Sequence, residues 1–290
     1  MIRLAVISGK GGTGKTVVTA ALAHLIPVPR VLADCDVDAA NLSLLLSPTE
    51  TTSKPFYGMK KAVIDPELCT GCGICAESCR FGAIEEKDGI FSAYPVRCEG
   101  CGLCEAICPA SAIHLEAFCD GEIFYSQTAE GPLSHAELAP GSGNSGLLVH
   151  EVKLQALKKA GDREFLLIDG PPGIGCPVIS TISGVDAVVV VTEPSVAATH
   201  DLARLIKVTR GFDLDRYCII NRYDLDPGLT AQIEQFCEDE EITLLGRIPF
   251  DPAVLAAVRE GKIITEYDCP ARAALEEIWK ALAAQLGITP

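Results

Sequence analysis

The loop Gly9-Lys10-Gly11-Gly12-Thr13-Gly14-Lys15-Thr16 follows a short apolar run, residues 4–8, and leads into an amphipathic segment, residues 16–25. It matches the phosphate-loop pattern G-x-x-x-x-G-K-[ST] in the strand-then-helix context that this pattern requires. Its glycines let backbone N–H groups turn inward around phosphate oxygens, and the N-terminus of the following helix adds positive potential. The motif predicts that Lys15 neutralises the β- and γ-phosphates and that Thr16 joins a Mg²⁺ shell.

Apolar runs and amphipathic patterns alternate along most of the chain. Candidate buried strands are residues 4–8, 31–35, 165–169, 187–192, 217–221 and 243–248, and candidate helices are residues 16–25, 197–209, 229–239, 252–260 and 271–285. Continuous apolar strands separated by helices indicate an α/β fold, with a mostly parallel sheet covered by helices on both faces. Right-handed crossovers place the loops at the carboxyl ends of the strands, where ligands bind.

The composition limits the classes of partner. The 290 residues include 24 Lys and Arg against 39 Asp and Glu, a formal net charge of −15, and 48% of them are hydrophobic. The apolar share excludes wholesale disorder, and the negative charge argues against nucleic acid or anionic lipid as a main partner. We find no export signal and no apolar stretch of about 18 residues, so we expect a cytoplasmic protein whose cysteines are reduced or bind metal.

Eight of the fourteen cysteines form two runs with one spacing. The runs are Cys69-x2-Cys72-x2-Cys75-x3-Cys79 and Cys98-x2-Cys101-x2-Cys104-x3-Cys108, in which each cysteine recurs 29 residues later. This repeat predicts an internal duplication set inside the α/β domain. Three closely spaced thiolates suit one cubane better than a zinc site, which usually draws two pairs from separated knuckles, and a disulfide scaffold is favoured least.

The segment 61–118 resembles the bacterial two-cluster ferredoxins. In that spacing the fourth cysteine of each run ligates the other cluster. The resemblance implies one [4Fe–4S] cluster on Cys69, Cys72, Cys75 and Cys108, and a second on Cys98, Cys101, Cys104 and Cys79. Arg80 replaces the proline that usually follows the first run, which puts a cation near one cluster and could separate the two reduction potentials.

Lys10 adds a second lysine to the loop, and K-G-G-T-G-K-T resembles the deviant Walker A motif of the MinD/ParA/Mrp ATPases. In that family this lysine reaches across a sandwich dimer to the nucleotide of the other subunit. The resemblance implies that ATP with Mg²⁺ joins two copies, since two facing loops that carry lysines repel each other unless phosphates lie between them. Residues 1–60 and 119–290 are then the ATPase domain, and residues 61–118 are an inserted ferredoxin domain.

Four further segments follow in the order typical of this family. Residues 34–42 resemble switch I, where Asp36 would orient or deprotonate the attacking water and Asp34 would join the Mg²⁺ shell. Asp169, in residues 168–173, resembles the switch II aspartate that holds Mg²⁺ through water. Residues 220–222 and 246–251 resemble the last two segments, which lie at the adenine in this family. They imply adenine contacts from four residues: Asn221, Arg222, Pro249 and Asp251. The resemblance thus implies the catalytic set Lys10, Lys15 and Asp36.

Two other regions bear on function. Cys35 lies within switch I and Cys176 follows switch II, and the sequence assigns no role to either. In the tail, residues 271–285, Arg272 and Lys280 are balanced by two glutamates. This balance favours a packed terminal helix over a membrane anchor.

These resemblances together predict an ATP-dependent homodimer switch coupled to electron transfer through two [4Fe–4S] clusters, with a redox or regulatory protein as partner. A second hypothesis is a positioning or regulatory ATPase whose ferredoxin module is structural or redox-sensing. A third is a carrier of iron–sulfur clusters, which full cysteine ligation disfavours because completely ligated clusters are held rather than handed over.

Overall fold

A computed structural model describes residues 1–289. The strands of this part of the chain are β1 (Ile2–Ser8), β2 (Arg30–Asp34), β3 (Glu50–Tyr57), β4 (Lys61–Ile64), β5 (Ile84–Lys87), β6 (Ile90–Ala93), β7 (Ile113–Glu116), β8 (Cys119–Thr128), β9 (Gly131–Leu138), β10 (Phe165–Pro172), β11 (Ala187–Thr192), β12 (Asp215–Asn221) and β13 (Thr243–Ile248). The helices are α1 (Lys15–Leu25), α2 (Leu42–Leu46), α3 (Ile74–Ser78), α4 (Leu103–Ile107), α5 (Ser145–Lys159), α6 (Cys176–Ile182), α7 (Val196–Thr209), α8 (Pro227–Asp239), α9 (Pro252–Glu260) and α10 (Pro270–Leu286).

Nine strands form one sheet in the order β13-β12-β11-β1-β10-β2-β9-β8-β3. Every neighbouring pair from β13 to β9 is parallel, and β8 and β3 add an antiparallel edge. The predicted α/β fold with a mostly parallel sheet is confirmed, and all six predicted strands are present. Because seven parallel strands end at the same edge, their C-terminal residues are brought together there.

Alternate residues of β1 reach opposite faces of the sheet. Leu4 and Val6 belong to a hydrophobic core that includes residues of α1 and α10. Ala5 and Ile7 belong to a second core that includes residues of α5 and α7. Helices therefore cover both faces, as the continuous apolar strands predict.

The antiparallel edge is absent from the sequence-based prediction. Six of the eight residues of β3 are polar or proline, and seven are exposed. A strand at a sheet edge has no second neighbour and little buried surface, so its sequence lacks the apolar run that reveals an interior strand. Helix α5 was also missed, although Leu148, Val149 and Val152 lie fully buried in the core.

The terminal helix α10 packs against the sheet, as predicted. Leu275, Trp279 and Leu282 are buried in the same core as α1, and Trp279 is only 4% exposed. Arg272 pairs with Glu276, and Lys280 pairs with Glu277 on the exposed side. Among residues 1–289, no helix combines the length and the apolar character needed to cross a bilayer.

Residues 61–116 form a small unit with a hydrophobic cluster of its own. Each element of its first half recurs 29 residues later: β4 as β6, α3 as α4, and β5 as β7. The strands pair between the halves, since β4 pairs with β7 and β5 pairs with β6, both antiparallel. The duplication inferred from cysteine spacing is therefore also a duplication of secondary structure.

Candidate functional site

The glycine-rich loop connects β1 to α1 at the carboxyl edge of the sheet. Gly14 precedes α1 with a φ of 91°, a left-handed conformation that residues with a side chain rarely adopt. Asn221, the last residue of β12, donates a hydrogen bond from Nδ2 to the Thr13 carbonyl at 2.8 Å. A side chain on residue 14 would also collide with this amide group. Glycine thus allows Asn221 to hold the loop against the sheet.

Lys15 lies in the middle of a buried polar cluster and is 6% exposed. Its Nζ lies 2.9 Å from Asp169 Oδ1 and 3.7 Å from Asp36 Oδ2. Asp169 also accepts hydrogen bonds from the hydroxyls of Thr16, at 2.8 Å, and Thr19, at 2.7 Å. One carboxylate therefore binds the lysine and the hydroxyl that the loop motif assigns to phosphate and Mg²⁺.

Asp34 orders the segment that follows β2. Its carboxylate accepts hydrogen bonds from the backbone N–H groups of Asp36 at 3.1 Å, Asn41 at 3.1 Å and Leu42 at 3.0 Å. These contacts fold residues 34–42 into a tight turn that brings Asp36 to Lys15. The structure thereby brings together Lys15, Thr16, Asp34, Asp36 and Asp169, as the sequence predicts.

The carboxylates of this cluster outnumber its ammonium group. Burial raises the pKa of Asp34, and the nearby charge of Asp169 raises it further. Burial raises the pKa of Asp36 to about 6, and its attraction to Lys15 only partly offsets this effect. Without a divalent cation, the cluster therefore favours protonation of a carboxylate near neutral pH.

The Lys10 side chain is paired with residues of the same chain. Its Nζ lies 2.9 Å from Glu193 Oε1 and 3.3 Å from the Ser195 hydroxyl. The other oxygen of Glu193 pairs with Arg222 at 2.9 Å, and Arg222 donates to the Gly12 carbonyl at 3.2 Å. Glu193 thus links the two cations beside the loop. Sequence analysis missed it, although an acidic residue directly after the buried strand β11 was the available signal.

The four residues expected at adenine differ in what they contact. Asn221 and Arg222 contact the loop itself, through the carbonyls of Thr13 and Gly12. Pro249 follows β13 and is half-buried. Asp251 caps α9 by accepting from Ala253 N at 2.9 Å, and it also accepts from Ala271 N at 3.1 Å. The structure therefore assigns Asp251 a capping role.

The loop fits a polyphosphate. The Thr13 hydroxyl oxygen is buried and has no hydrogen-bond partner, so it is free to contact a ligand. A Cβ added to Gly11 or Gly12 would meet no atom within 4 Å, so their backbone borders open space. Together with Lys15 and the N-terminus of α1, these groups form an anion-binding cradle.

Comparison with known proteins agrees with this geometry. The sequence profile of the CobQ/CobB/MinD/ParA nucleotide binding domain matches residues 4–264. The chain belongs to this family. The member described as septum site-determining protein MinD from Pyrococcus horikoshii, complexed with Mg-ADP, superposes with a TM-score of 0.59 at 20% identity, covering 99% of this chain and 97% of that one. The fold is therefore MinD-like.

Two relatives in sequence are informative. An uncharacterized protein of Methanocaldococcus jannaschii is 36% identical over 224 residues, which are 77% of this chain and 78% of that protein. An iron–sulfur cluster carrier protein of Pyrococcus furiosus is 28% identical over 139 residues, which are 43% of this chain and 47% of that protein. Nucleotide binding is thus a property of the family, whereas iron–sulfur chemistry is named only in part of it.

The eight clustered cysteines border two cavities of the small unit. The first, here the Cys98 cavity, has a volume of about 290 Å³ and is lined by Cys75, Cys79, Cys98, Cys101 and Cys104. The second, the Cys69 cavity, is smaller, about 20 Å³, and is lined by Cys69, Cys72, Cys75 and Cys108. Cys75 thus borders both cavities, and each of the other seven cysteines borders one. Residues 1–289 contain no group of three or more His, Cys, Asp or Glu side chains gathered for a single metal ion.

Backbone N–H groups point at three of these sulfurs. Ala83 donates to Cys79 Sγ at 3.4 Å, and Ala112 donates to Cys108 Sγ at 3.3 Å, 29 residues later. Ala62 donates to Cys98 Sγ at 3.4 Å. Such bonds stabilise the negative charge of a thiolate ligand. Cysteine thiolates are the donor type that iron–sulfur clusters take from proteins.

The other cysteines are spread through the chain. Cys35, Cys218 and Cys237 are buried, and burial raises the pKa of the Cys35 thiol. Cys176 is exposed at the start of α6. Buried thiols of this kind behave as small apolar side chains.

We expect Asp36→Asn to change how stability depends on pH. The folded protein binds a proton at Asp36 more tightly than the unfolded chain, whose aspartate pKa is about 3.9. The stability contributed by the protonated form is therefore lost as pH rises from about 4 to about 6. Without nucleotide or Mg²⁺, the free energy of unfolding of the variant relative to the wild type should rise by about 2 kcal/mol across this window.

Urea denaturation at a series of pH values measures this difference. The matched control is Asp162→Asn, since Asp162 is an exposed aspartate outside the cluster. Its pH profile should follow that of the wild type. Parallel profiles for Asp36→Asn and the wild type would contradict the expected effect.

Proposed function

We propose that this chain is an ATPase that binds ATP with Mg²⁺ at the loop of residues 9–16. The carrying observation is that Lys15 and Thr16 converge on Asp169 at the N-terminus of α1. Lys15 exchanges its carboxylate partner for the β- and γ-phosphates, and Thr16, Asp34 and Asp169 hold Mg²⁺ directly or through water. When bound, the metal neutralises charge that develops on the phosphates. Asn221 and Arg222 position the loop beside the adenine, next to Pro249.

Asp36 is the proposed residue that orients the attacking water. Its carboxylate lies 3.7 Å from Lys15 Nζ, so it stands beside the proposed position of the γ-phosphate. Burial raises its pKa toward neutrality, which suits a group that accepts a proton. Displacement of Lys15 toward phosphate would leave Asp36 free to contact water.

We propose further that ATP joins two copies of the chain through Lys10. In the single chain, Glu193 and Ser195 hold the Lys10 ammonium, which is about a third exposed. This ion pair is partly solvated and is worth little, so a triphosphate presented by a second copy can replace it. Glu193 keeps Arg222 as partner after the exchange.

Lys10→Ala should abolish ATP-dependent dimerisation and leave nucleotide binding in place. The variant removes a charge that lies outside the buried Lys15 cluster. Analytical ultracentrifugation with a non-hydrolysable ATP analogue measures the association, and a fluorescent nucleotide measures binding. The control is Lys207→Ala, since Lys207 is an exposed lysine in the last turn of α7. A wild-type monomer in saturating analogue, or a dimer of Lys10→Ala, would contradict the proposal.

For residues 61–118 we propose a ferredoxin-like module that holds two [4Fe–4S] clusters. Cys69, Cys72, Cys75 and Cys108 would ligate one cluster, and Cys79, Cys98, Cys101 and Cys104 the other. The support is that these cysteines line two cavities, with Cys75 shared by both, together with the N–H groups directed at three of the sulfurs. The clusters would supply one-electron transfer when bound.

Anaerobically purified wild-type protein should contain iron and acid-labile sulfide in equal amounts. Cys101→Ser should lose about half of this iron, because one of two clusters loses a ligand. The matched control is Cys119→Ser, since Cys119 is an exposed cysteine just after the module and outside both runs. Wild-type protein that is colourless and free of iron would end this proposal. It would leave the proposed ATPase activity untouched.

A line of contacts supports coupling between nucleotide and clusters. Helix α6 follows the strand that carries Asp169, and Ser180 on α6 donates a hydrogen bond to the Gly146 carbonyl at 2.8 Å. Close approaches continue from the preceding loop to the module: a Cβ on Gly141 would lie 2.7 Å from Val96, and one on Gly143 would lie 3.6 Å from Glu99. Movement of switch II can therefore reach the residues that flank Cys98.

ATP should shift a cluster reduction potential if this coupling operates. Redox titrations of the anaerobic protein, with and without the ATP analogue, measure the shift, and Lys10→Ala serves as the variant that binds nucleotide without dimerising. A nucleotide-dependent shift favours electron transfer as the output. Potentials that ignore nucleotide would favour the alternative, a regulatory or positioning ATPase with a structural or redox-sensing module.

A further inference from the structure

The Cys98 cavity lies where the module joins the sheet domain. A Cβ on Gly100 would collide with the Lys60 carbonyl and lie 3.1 Å from Met59, at the end of the segment that enters the module. Val96 and Glu99 approach the loop between β9 and α5, as described above. A cluster in the Cys98 cavity is therefore the one beside the sheet domain.

Lys61 is a buried cation at this junction. It is 3% exposed, and its Nζ donates a hydrogen bond to the Cys98 carbonyl at 2.7 Å. The next residue, Ala62, donates its N–H to the sulfur of the same cysteine. Lys61 thus contacts the backbone of a proposed cluster ligand from the interior of the protein.

Asp120 provides the opposing charge. It lies on β8 with no exposed surface, and its Oδ1 is 4.0 Å from Lys61 Nζ. Neither carboxylate oxygen has a hydrogen-bond partner in the described residues. The lysine donates directly to Cys98, whereas the carboxylate makes no such bond. The pair therefore directs its positive end at the backbone of Cys98, a residue that lines the Cys98 cavity.

No charged side chain is among the described residues that line the Cys69 cavity. Arg80 and Glu99 line the Cys98 cavity, but both are exposed and their charges are opposite, so water screens them and they largely cancel. Lys61 is the charge that distinguishes the two cavities.

A buried positive charge favours reduction of the nearer cluster. Reduction adds one negative charge, and its attraction to the ammonium falls with distance and is weakly screened in the interior. We propose that the cluster in the Cys98 cavity has the higher reduction potential, and that Lys61 is the positioning residue that sets it. A module carrying one electron then holds it on the cluster next to the sheet domain. This inference rests on the proposed two-cluster module.

Anaerobic titration with dithionite, followed by electron paramagnetic resonance, tests the order. Cys101→Ser and Cys72→Ser assign the two signals, because each alters one cluster. In the wild type, the signal altered by Cys101→Ser should appear first on reduction. Lys61→Met should make reduction of this cluster at least tenfold less favourable, a shift of about 59 mV for one electron. Asp120→Asn should shift the same potential upward.

The matched control is Lys60→Met, since Lys60 precedes Lys61 in the chain and is exposed. Its potentials should equal those of the wild type, and the potential of the Cys69 cluster should stay constant throughout. If the pair had a purely structural role, Lys61→Met and Asp120→Asn would shift the reduction potential in the same direction, or would shift the potentials of both clusters together. Either result would overturn the inference. Asp120→Asn keeps Lys61 in place, so it carries the test if Lys61→Met fails to fold.

Two results separate this inference from the proposed function. Wild-type protein without iron would overturn both. Wild-type protein with two clusters, in which the Cys69 cluster is reduced first, would overturn only the assignment of the higher potential to the Cys98 cavity.

Discussion

The buried ammonium of Lys15 is the charge on which the arrangement of the site depends. It lies against Asp169 and near Asp36, so one cation offsets carboxylates from two strand ends. Removing charged groups from water is costly unless they are paired, and the pairing holds both segments against the loop. A triphosphate that pairs with Lys15 would deprive these carboxylates of their cation, so a second cation would have to replace it. Electrostatics would therefore link the proposed binding of nucleotide to the proposed binding of divalent metal.

The sequence predicts the central sheet well because buried parallel strands have continuous apolar sequences. All six predicted strands lie in the parallel part of the sheet, and the loop motif places β1 and α1 correctly. Strands β3 and β8 escape prediction because most of their residues are exposed or half-buried, so neither strand carries a continuous apolar run. Helix α5 escapes prediction for a different reason. Its apolar segment is short and follows a glycine-rich loop, which is the stronger local signal in the sequence.

The chemistry of the site is predictable where a motif fixes geometry and is lost where partners are distant in sequence. Asp34 ends β2, Asp36 follows it and Asp169 lies in the second half of β10, and strand ends meet at one edge. Glu193 follows a strand in the same way, but its contact with Lys10 depends on side-chain conformations that no pattern encodes. Asp251 shows the converse, because an aspartate before a proline is also a helix cap, and the structure uses it so.

The small unit enters and leaves the sheet domain at one place. Tyr57 and Cys119, which lie at its two borders, are partners in the antiparallel pairing of β3 and β8. Excision of the intervening residues would therefore leave two adjacent chain ends that a hairpin turn could join, with the order of the nine strands unchanged. The unit is therefore a self-contained segment between two paired strands. A segment placed between β3 and β8 at this point can vary in length without disturbing the pairing of the two strands.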